Sequence, residues 1–425
     1  MSLHKNNDHP NDDGAPLPRI ISERDDASSE QNDPTATCTS VDDSSSMHWI
    51  LHWDINETIL VGDEVGGDTI EDCFNKIIAK SAFVQKTADN AVGDDDNDFD
   101  STTAMIPTHW WDGSPLKDEE GGPPPPLYTG WDWPKGCCPY YRTSYKRISK
   151  TFTDGHGAVY KPLYKEIEQR LTRRQQPDLF DNIIPAFFHT MNQLIHSPSS
   201  PNNPPVTIVF RTFGTDLPSI AQAMTAFAQG KHPDYPDFVH PQYELDASRL
   251  YYAKWVLQDH AGGGAEKQEE DERKRYQYQL FRQDDGSMVA SGDQQVLDLL
   301  HNTGSSDQQH YVFGIQDDYP MWKAHTWEPW AGKPVWKLDG DSKHHHILLD
   351  DNIHNLPHDG IASVRQPTDN ECFESLSGPE IQSMHGVHLI RVPTIEPIMN
   401  TDWFLQQIAK VQAAALLARA STGTT

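Results

Sequence analysis

Long apolar runs are absent from this chain. Nowhere in its 425 residues do eighteen apolar residues stand in a row, which leaves no candidate for a membrane-crossing helix. Basic residues are scarce: 34 Lys and Arg stand against 63 Asp and Glu, for a formal net charge of -29. That balance argues against nucleic-acid backbones and anionic membranes as partners. A highly charged anionic substrate would need a cation between it and the protein. Cysteine is also sparse. The five Cys (Cys38, Cys73, Cys137, Cys138, Cys372) are odd in number and contain no CxxC pair, which excludes a disulfide framework and a zinc ribbon. Reduced thiols and an intracellular, cytoplasmic setting are expected. Met1 to Pro10 carries no apolar stretch of the secretory kind. The glycine run Gly262-Gly263-Gly264 lacks the strand-to-helix setting of a phosphate loop, and neither a P-loop nor a GxGxxG motif occurs.

What is present is a core diluted by polar segments. Apolar residues make up 36% of the chain, yet it holds 12 Trp, more than a disordered chain carries. Residues 1–46, rich in Asp, Ser, Asn and Pro, read as a disordered acidic tail. Order is expected to begin with the strand Met47–Leu60, whose Ile50, Leu51 and Trp53 suit a covered sheet. Helices are predicted over 68–85, where Thr69 and Asp72 match a capping box, and over 159–174 and 177–196. Residues 87–103, with Asp94-Asp95-Asp96-Asn97-Asp98, read as a solvated acidic loop, and Pro123–Pro126 as a spacer rather than an SH3 or WW ligand. Residues 110–145, dense in Trp, Tyr, Pro and Gly, predict a loop-rich aromatic unit. A second strand at Val206–Gly214 feeds a helix over 217–229. Tyr276–Arg282 and Ser287–Ala290 are expected to form a hairpin around Gly286. A strand candidate at 311–316, the apolar strand 344–350, short strands at 360–364 and 387–392, and a closing helix over 402–416 complete the pattern. Strands alternating with helices predict a parallel α/β sheet.

The polar residues at the strand ends carry the chemistry. In open α/β sheets the ligand crevice lies beyond the carboxyl ends of the strands. Here three strands end in Asp54, Thr212 and the pair Asp350-Asp351. Clustered carboxylates hold a hard divalent cation, a hydroxyl suits a phosphate oxygen, and a Lys balances the charge. An Asp in that setting is also a nucleophile for phosphorus. Arg211 should face away from such a site. Asp317-Asp318 read either as an edge of the same crevice or as a turn before Pro320. His344-His345-His346 reads as a solvated strand start rather than a metal site, because alternate residues face opposite sides. Trp322, Trp327, Trp330 and Trp336 read as core packing.

In this arrangement the chain resembles the haloacid dehalogenase-like (HAD) superfamily. Asp54-Ile55-Asn56-Glu57-Thr58 is similar to its DxDx(T/V) first motif, Thr212 to its second, Lys333 to its third and Asp350-Asp351 to its fourth. Lys337 and Lys343 also precede the fourth motif. The resemblance implies a Rossmann-like parallel sheet with large cap insertions. Its core would span 47–67, 206–229 and 310–415. A helical and aromatic cap would fill 68–205, a second insertion 230–309, and a flexible C-terminus 416–425. It further implies Mg²⁺ held by Asp54, Asn56, Asp350 and Asp351, with Asp54 as nucleophile and Thr212 and Lys333 on the phosphoryl oxygens. The implied activity is a phosphohydrolase or phosphotransferase acting through an aspartyl phosphate on a phosphorylated small molecule or phosphoprotein. Asn56 departs from the pattern. It stands where the superfamily's phosphatases carry the Asp that protonates the leaving group and activates water, work an amide cannot do. Its backbone carbonyl still suits Mg²⁺. The resemblance therefore also accommodates a binding protein without turnover, and Glu57 offers itself as a substitute base.

Overall fold

The computed structural model describes residues 20–21, 47–62, 67–86, 106–117, 124–131, 133–172, 179–196, 206–258, 275–301, 309–338, 343–354, 360–368 and 372–422. Most of the 1–46 tail, the 87–103 loop, Pro123 and the glycine run at 262–264 lie outside them. An eight-stranded sheet organises the rest. Its strands are β1 (His48–Asp54), β2 (Thr207–Thr212), β3 (Leu250–Leu257), β4 (Tyr276–Arg282), β5 (Met288–Ser291), β6 (Val312–Gln316), β8 (His344–Asp350) and β11 (Leu389–Arg391). A smaller sheet is formed by β7 (Lys333–Trp336), β9 (Ala362–Pro367) and β10 (Phe373–Ser375). The order across the large sheet is β11-β8-β1-β2-β6-β3-β4-β5. From β11 to β3 every pairing is parallel, and β4 and β5 add an antiparallel edge.

Strand β1 sits near the middle because it tolerates cover on both faces. The helices are α1 (Ile70–Ser81), α2 (Lys161–Leu171), α3 (Pro185–His196), α4 (Leu217–Ala228), α5 (Asp293–His301), α6 (Tyr319–Ala324), α7 (Gly378–Gln382), α8 (Ile395–Met399) and α9 (Trp403–Thr422). Trp49, Leu51 and Trp53 point to one side, where α3, α4 and α9 complete the main core. Trp53 is fully buried there, edge-on to Phe187 at 5.3 Å and Phe404 at 4.9 Å. A Trp of that size contributes packing well beyond that of an aliphatic side chain. Ile50, His52 and Asp54 point to the other side, under β7 and α5 (Asp293–His301).

That second face carries a buried polar layer. Arg211 is fully buried and donates to both Asp317 oxygens, at 2.9 and 2.5 Å. It also donates to the Pro334 carbonyl at 2.8 Å and lies 3.2 Å from His52 Nδ1. His52 Nε2 lies 2.9 Å from His346 Nδ1, and His346 Nε2 lies 3.0 Å from His301 Nε2. Arg211, expected to face away from the strand-end site, shares the face of its register partner Asp54 and spends its guanidinium on Asp317, the Pro334 carbonyl and His52. Asp317 turns with it, and Asp318 accepts from the Trp255 backbone N–H at 3.1 Å instead of edging the crevice. The histidine run needs a correction. His344 and His345 are half-buried, and His346 is fully buried rather than solvated. The cause is the cover that α5 places over that end of β8, with His301 stacked on His344 at 3.7 Å.

Local signals elsewhere behave as their chemistry dictates. Helix α1 (Ile70–Ser81) starts at a Thr69/Asp72 capping box and buries Cys73, Phe74, Ile77 and Ile78. Gly286, at φ +71°, turns the β4–β5 hairpin, a conformation glycine adopts without steric cost. The stretch 230–309, set apart by sequence, supplies β3, β4 and β5 to the central sheet. Helix α9 continues past 416 to Thr422, because Ala413, Ala414, Ala415, Leu416 and Leu417 are strong helix formers. No helix among the described residues is long and apolar enough to cross a membrane.

Candidate functional site

The parallel register brings the strand ends together. Leu349 on β8 pairs with Trp53 on β1, so Asp350 and Asp54 emerge side by side, while Asp54 pairs with Arg211 next to Thr212. Asp54, Asp350 and Asp351 converge, with one carboxylate oxygen from each lying within 4.8 Å of the others. Asp54 and Asp350 are buried.

Lys333 reaches this cluster from the first residue of β7. Its Nζ donates to Asp54 Oδ1 at 2.5 Å and to Asp350 Oδ2 at 2.8 Å, and it stands 5.0 Å from the centre of the Phe213 ring. Of Lys333, Lys337 and Lys343, it is Lys333 that lies between Asp54 and Asp350. Lys337 instead donates to Gln366 at 3.2 Å. Phe213 stacks on Trp322 at 5.0 Å, and both pack, partly buried, against the core cluster that holds Val335 and Leu348. Trp330 and Trp336 are core residues.

The turn after β1 completes the constellation. Thr58 donates its hydroxyl to Asp54 Oδ2 at 3.0 Å and accepts from the Asp351 N–H at 3.0 Å, tying two strand ends together. Both Asp54 oxygens are therefore held, which fixes the carboxylate plane while leaving each oxygen a further lone pair. Asn56 is fastened too. Its amide donates to the Gly62 carbonyl at 3.1 Å and accepts from Thr212 Oγ1 at 3.2 Å. Glu57 adopts φ +59° in the turn and forms an ion pair with Lys80 of α1. Lys80 Nζ is also 3.1 Å from Asp351 Oδ2. Glu57 is thus occupied by a lysine.

Burial and crowding set the charges. Burial first, then the neighbouring Asp350, push the Asp54 carboxyl well above the usual range against the pull of Lys333. Burial pushes Asp351 up to about 7, opposed by Lys80 and reinforced by Glu57. Burial draws Lys333 and Lys80 down, but the surrounding carboxylates outweigh it and hold both above the usual lysine value. The residues fit a divalent cation: the donors are hard oxygens, and two ammonium groups already lie where positive charge is needed. Mg²⁺ is then expected to compete with a proton on Asp351. Its affinity, read as Mg²⁺-induced stabilisation in melting curves, should fall about tenfold from pH 8 to pH 6 and level off above pH 8. A pH-independent affinity would exclude Asp351 from the binding set.

Sequence reasoning brought Asp54, Asn56, Thr212, Lys333, Asp350 and Asp351 forward, and the fold gathers all six. Thr58 entered only as the last residue of the first motif, without a role, and Lys80 not at all, since a surface-type lysine on an amphipathic helix offers no signal. Compared with known proteins, the chain matches no family model, no curated protein and no solved structure.

Proposed function

We propose that the chain is a Mg²⁺-dependent phosphohydrolase or phosphotransferase of the HAD-like type. The observation that carries this reading is the Lys333 ammonium bridging Asp54 and Asp350, 279 and 17 residues away in sequence, at the carboxyl edge of a parallel sheet. Asp54, Asp350 and Asp351 would hold Mg²⁺, with Asn56 contributing its backbone carbonyl. When bound, Mg²⁺ supplies charge neutralisation on the phosphoryl oxygens. Asp54, oriented by Lys333 and Thr58, attacks phosphorus, and the leaving oxygen departs with a proton taken from solvent. Lys333 lowers the cost of ionising a buried Asp54 and then faces the developing charge. Thr212, held by the Gly214 N–H at 2.8 Å, offers its hydroxyl to a phosphoryl oxygen. The aspartyl phosphate is released by water or passed to an acceptor.

Asn56 favours a second reading, in which the site binds a phosphorylated ligand or partner without turnover. Assays with p-nitrophenyl phosphate and a panel of phosphorylated metabolites, with Mg²⁺ or EDTA, separate the two. Mg²⁺-dependent turnover that vanishes in Asp54→Ala is the expected result. Absence of turnover with Mg²⁺ stabilisation intact selects the binding reading, and absence of both rejects the site.

A further inference from the structure

Histidine collects at the amino edge of the large sheet, at the far end of β1 and β8 from the carboxylates. His48 opens β1, His344, His345 and His346 open β8, and His301 closes α5. Helix α5 is the cover here, and it buries Val296, Leu297 and Leu300. Its two ends are held in different ways. At the start, Asp293 accepts from Trp336 Nε1 and from Arg365 Nη2, each at 2.8 Å. At the finish, His301 meets the sheet ring to ring. Its Nε2 lies 3.0 Å from His346 Nε2, and its ring lies flat on that of His344. The groups that act on this end are other imidazoles. His344 and His48 act on His301, while His52, His301, His345 and His388 act on His346. Behind His52 stands Arg211, whose charge Asp317 matches. Cover and crowding both oppose an added proton. Burial, then His344 and His48, hold His301 down to about 3, and burial, then His52, hold His346 well below the ordinary imidazole range. The closed form therefore binds fewer protons than an opened one. Its stability is complete above the ordinary imidazole value of about 6.5 and is lost as pH falls below it.

We infer that α5 is an acid-released latch: protonation of His301 and His346 frees its last turn from the sheet while its Asp293 end stays anchored. The latch is independent of the phosphotransfer reading. Its test is backbone amide hydrogen exchange in the full chain at pH 7.5 and pH 5.5, each rate divided by the intrinsic rate of an unstructured amide at that pH. Helix α4, which packs on the opposite face of the sheet, is the internal reference. An opening that exposes two imidazoles gains about tenfold from each at one unit below their ordinary value. Protection over the last turn of α5 should therefore fall about a hundredfold across that range, while α4 changes by no more than about threefold. His301→Gln keeps an acceptor opposite His346 and removes one titrating ring, so its loss should be only about tenfold. Equal protection of α4 in both proteins at pH 7.5 reports that the variant is folded, and the comparison of α5 with α4 in the natural chain stands without it. Unchanged protection of α5, a fall that α4 shares in full, or an equal fall in the variant overturns the inference.

Discussion

Asn56→Asp is expected to raise Mg²⁺-dependent hydrolysis of p-nitrophenyl phosphate at least a hundredfold, the usual worth of a placed general acid–base group. The surroundings of Asn56 explain why the new carboxyl would serve. One amide atom accepts from Thr212 Oγ1, and the other donates to the Gly62 carbonyl. A carboxylate cannot donate, so an ionised Asp would set an anionic oxygen against that carbonyl oxygen. The protonated form keeps both contacts. The site therefore favours the acid that a departing oxygen needs, and returns a base once that proton is spent. Adding Asp54→Ala to the same variant should remove the gain entirely, by more than a thousandfold, because the nucleophile is lost. An Asn56→Asp protein that gains nothing, while Mg²⁺ still stabilises it through Asp54, would show that leaving-group protonation is not what limits this site.

Arg211→Met should cost about 3–5 kcal/mol of folding stability, since it strands the Asp317 carboxylate in the interior. Both groups are essentially without solvent contact, with side-chain exposures of 0% and 1%. The guanidinium also satisfies the Pro334 carbonyl, on the strand that delivers Lys333. Urea unfolding followed by Trp fluorescence would read the loss as a lower midpoint. Arg211→Met combined with Asp317→Leu should recover much of it, because an apolar pair leaves no buried charge behind. A single variant within 1 kcal/mol of the natural chain would contradict the ion-pair account.

The candidate site was legible because its residues sit at the ends of strongly apolar strands, and a parallel sheet aligns such ends whatever the intervening chain does. Asp54, Thr212 and Asp350-Asp351 needed only that argument. Lys333 was harder to choose, since its strand, Lys333–Trp336, is four residues long and reads like its surroundings. The strand Leu250–Leu257 escaped notice because Lys254 and Leu257 are exposed and break the buried pattern, as befits its place beside the antiparallel edge. His346 misled for a different reason. Three histidines look polar in sequence, and only the approach of α5, far along the chain, shows that the third lies under cover.

That histidine row has one more property. A guanidinium only donates, so His52 must present a bare Nδ1 to Arg211 and carry its hydrogen on Nε2. That hydrogen obliges His346 to accept at Nδ1 and donate from Nε2, which in turn leaves His301 bare at Nε2. Three ring tautomers are thus dictated in series by a single arginine. The row has a direction, running from the sheet interior outward. An added proton cannot settle on one ring without turning a donor against a donor at its neighbour. The three rings beneath Asp54 and Asp350 are thus held neutral by hydrogen-bond polarity.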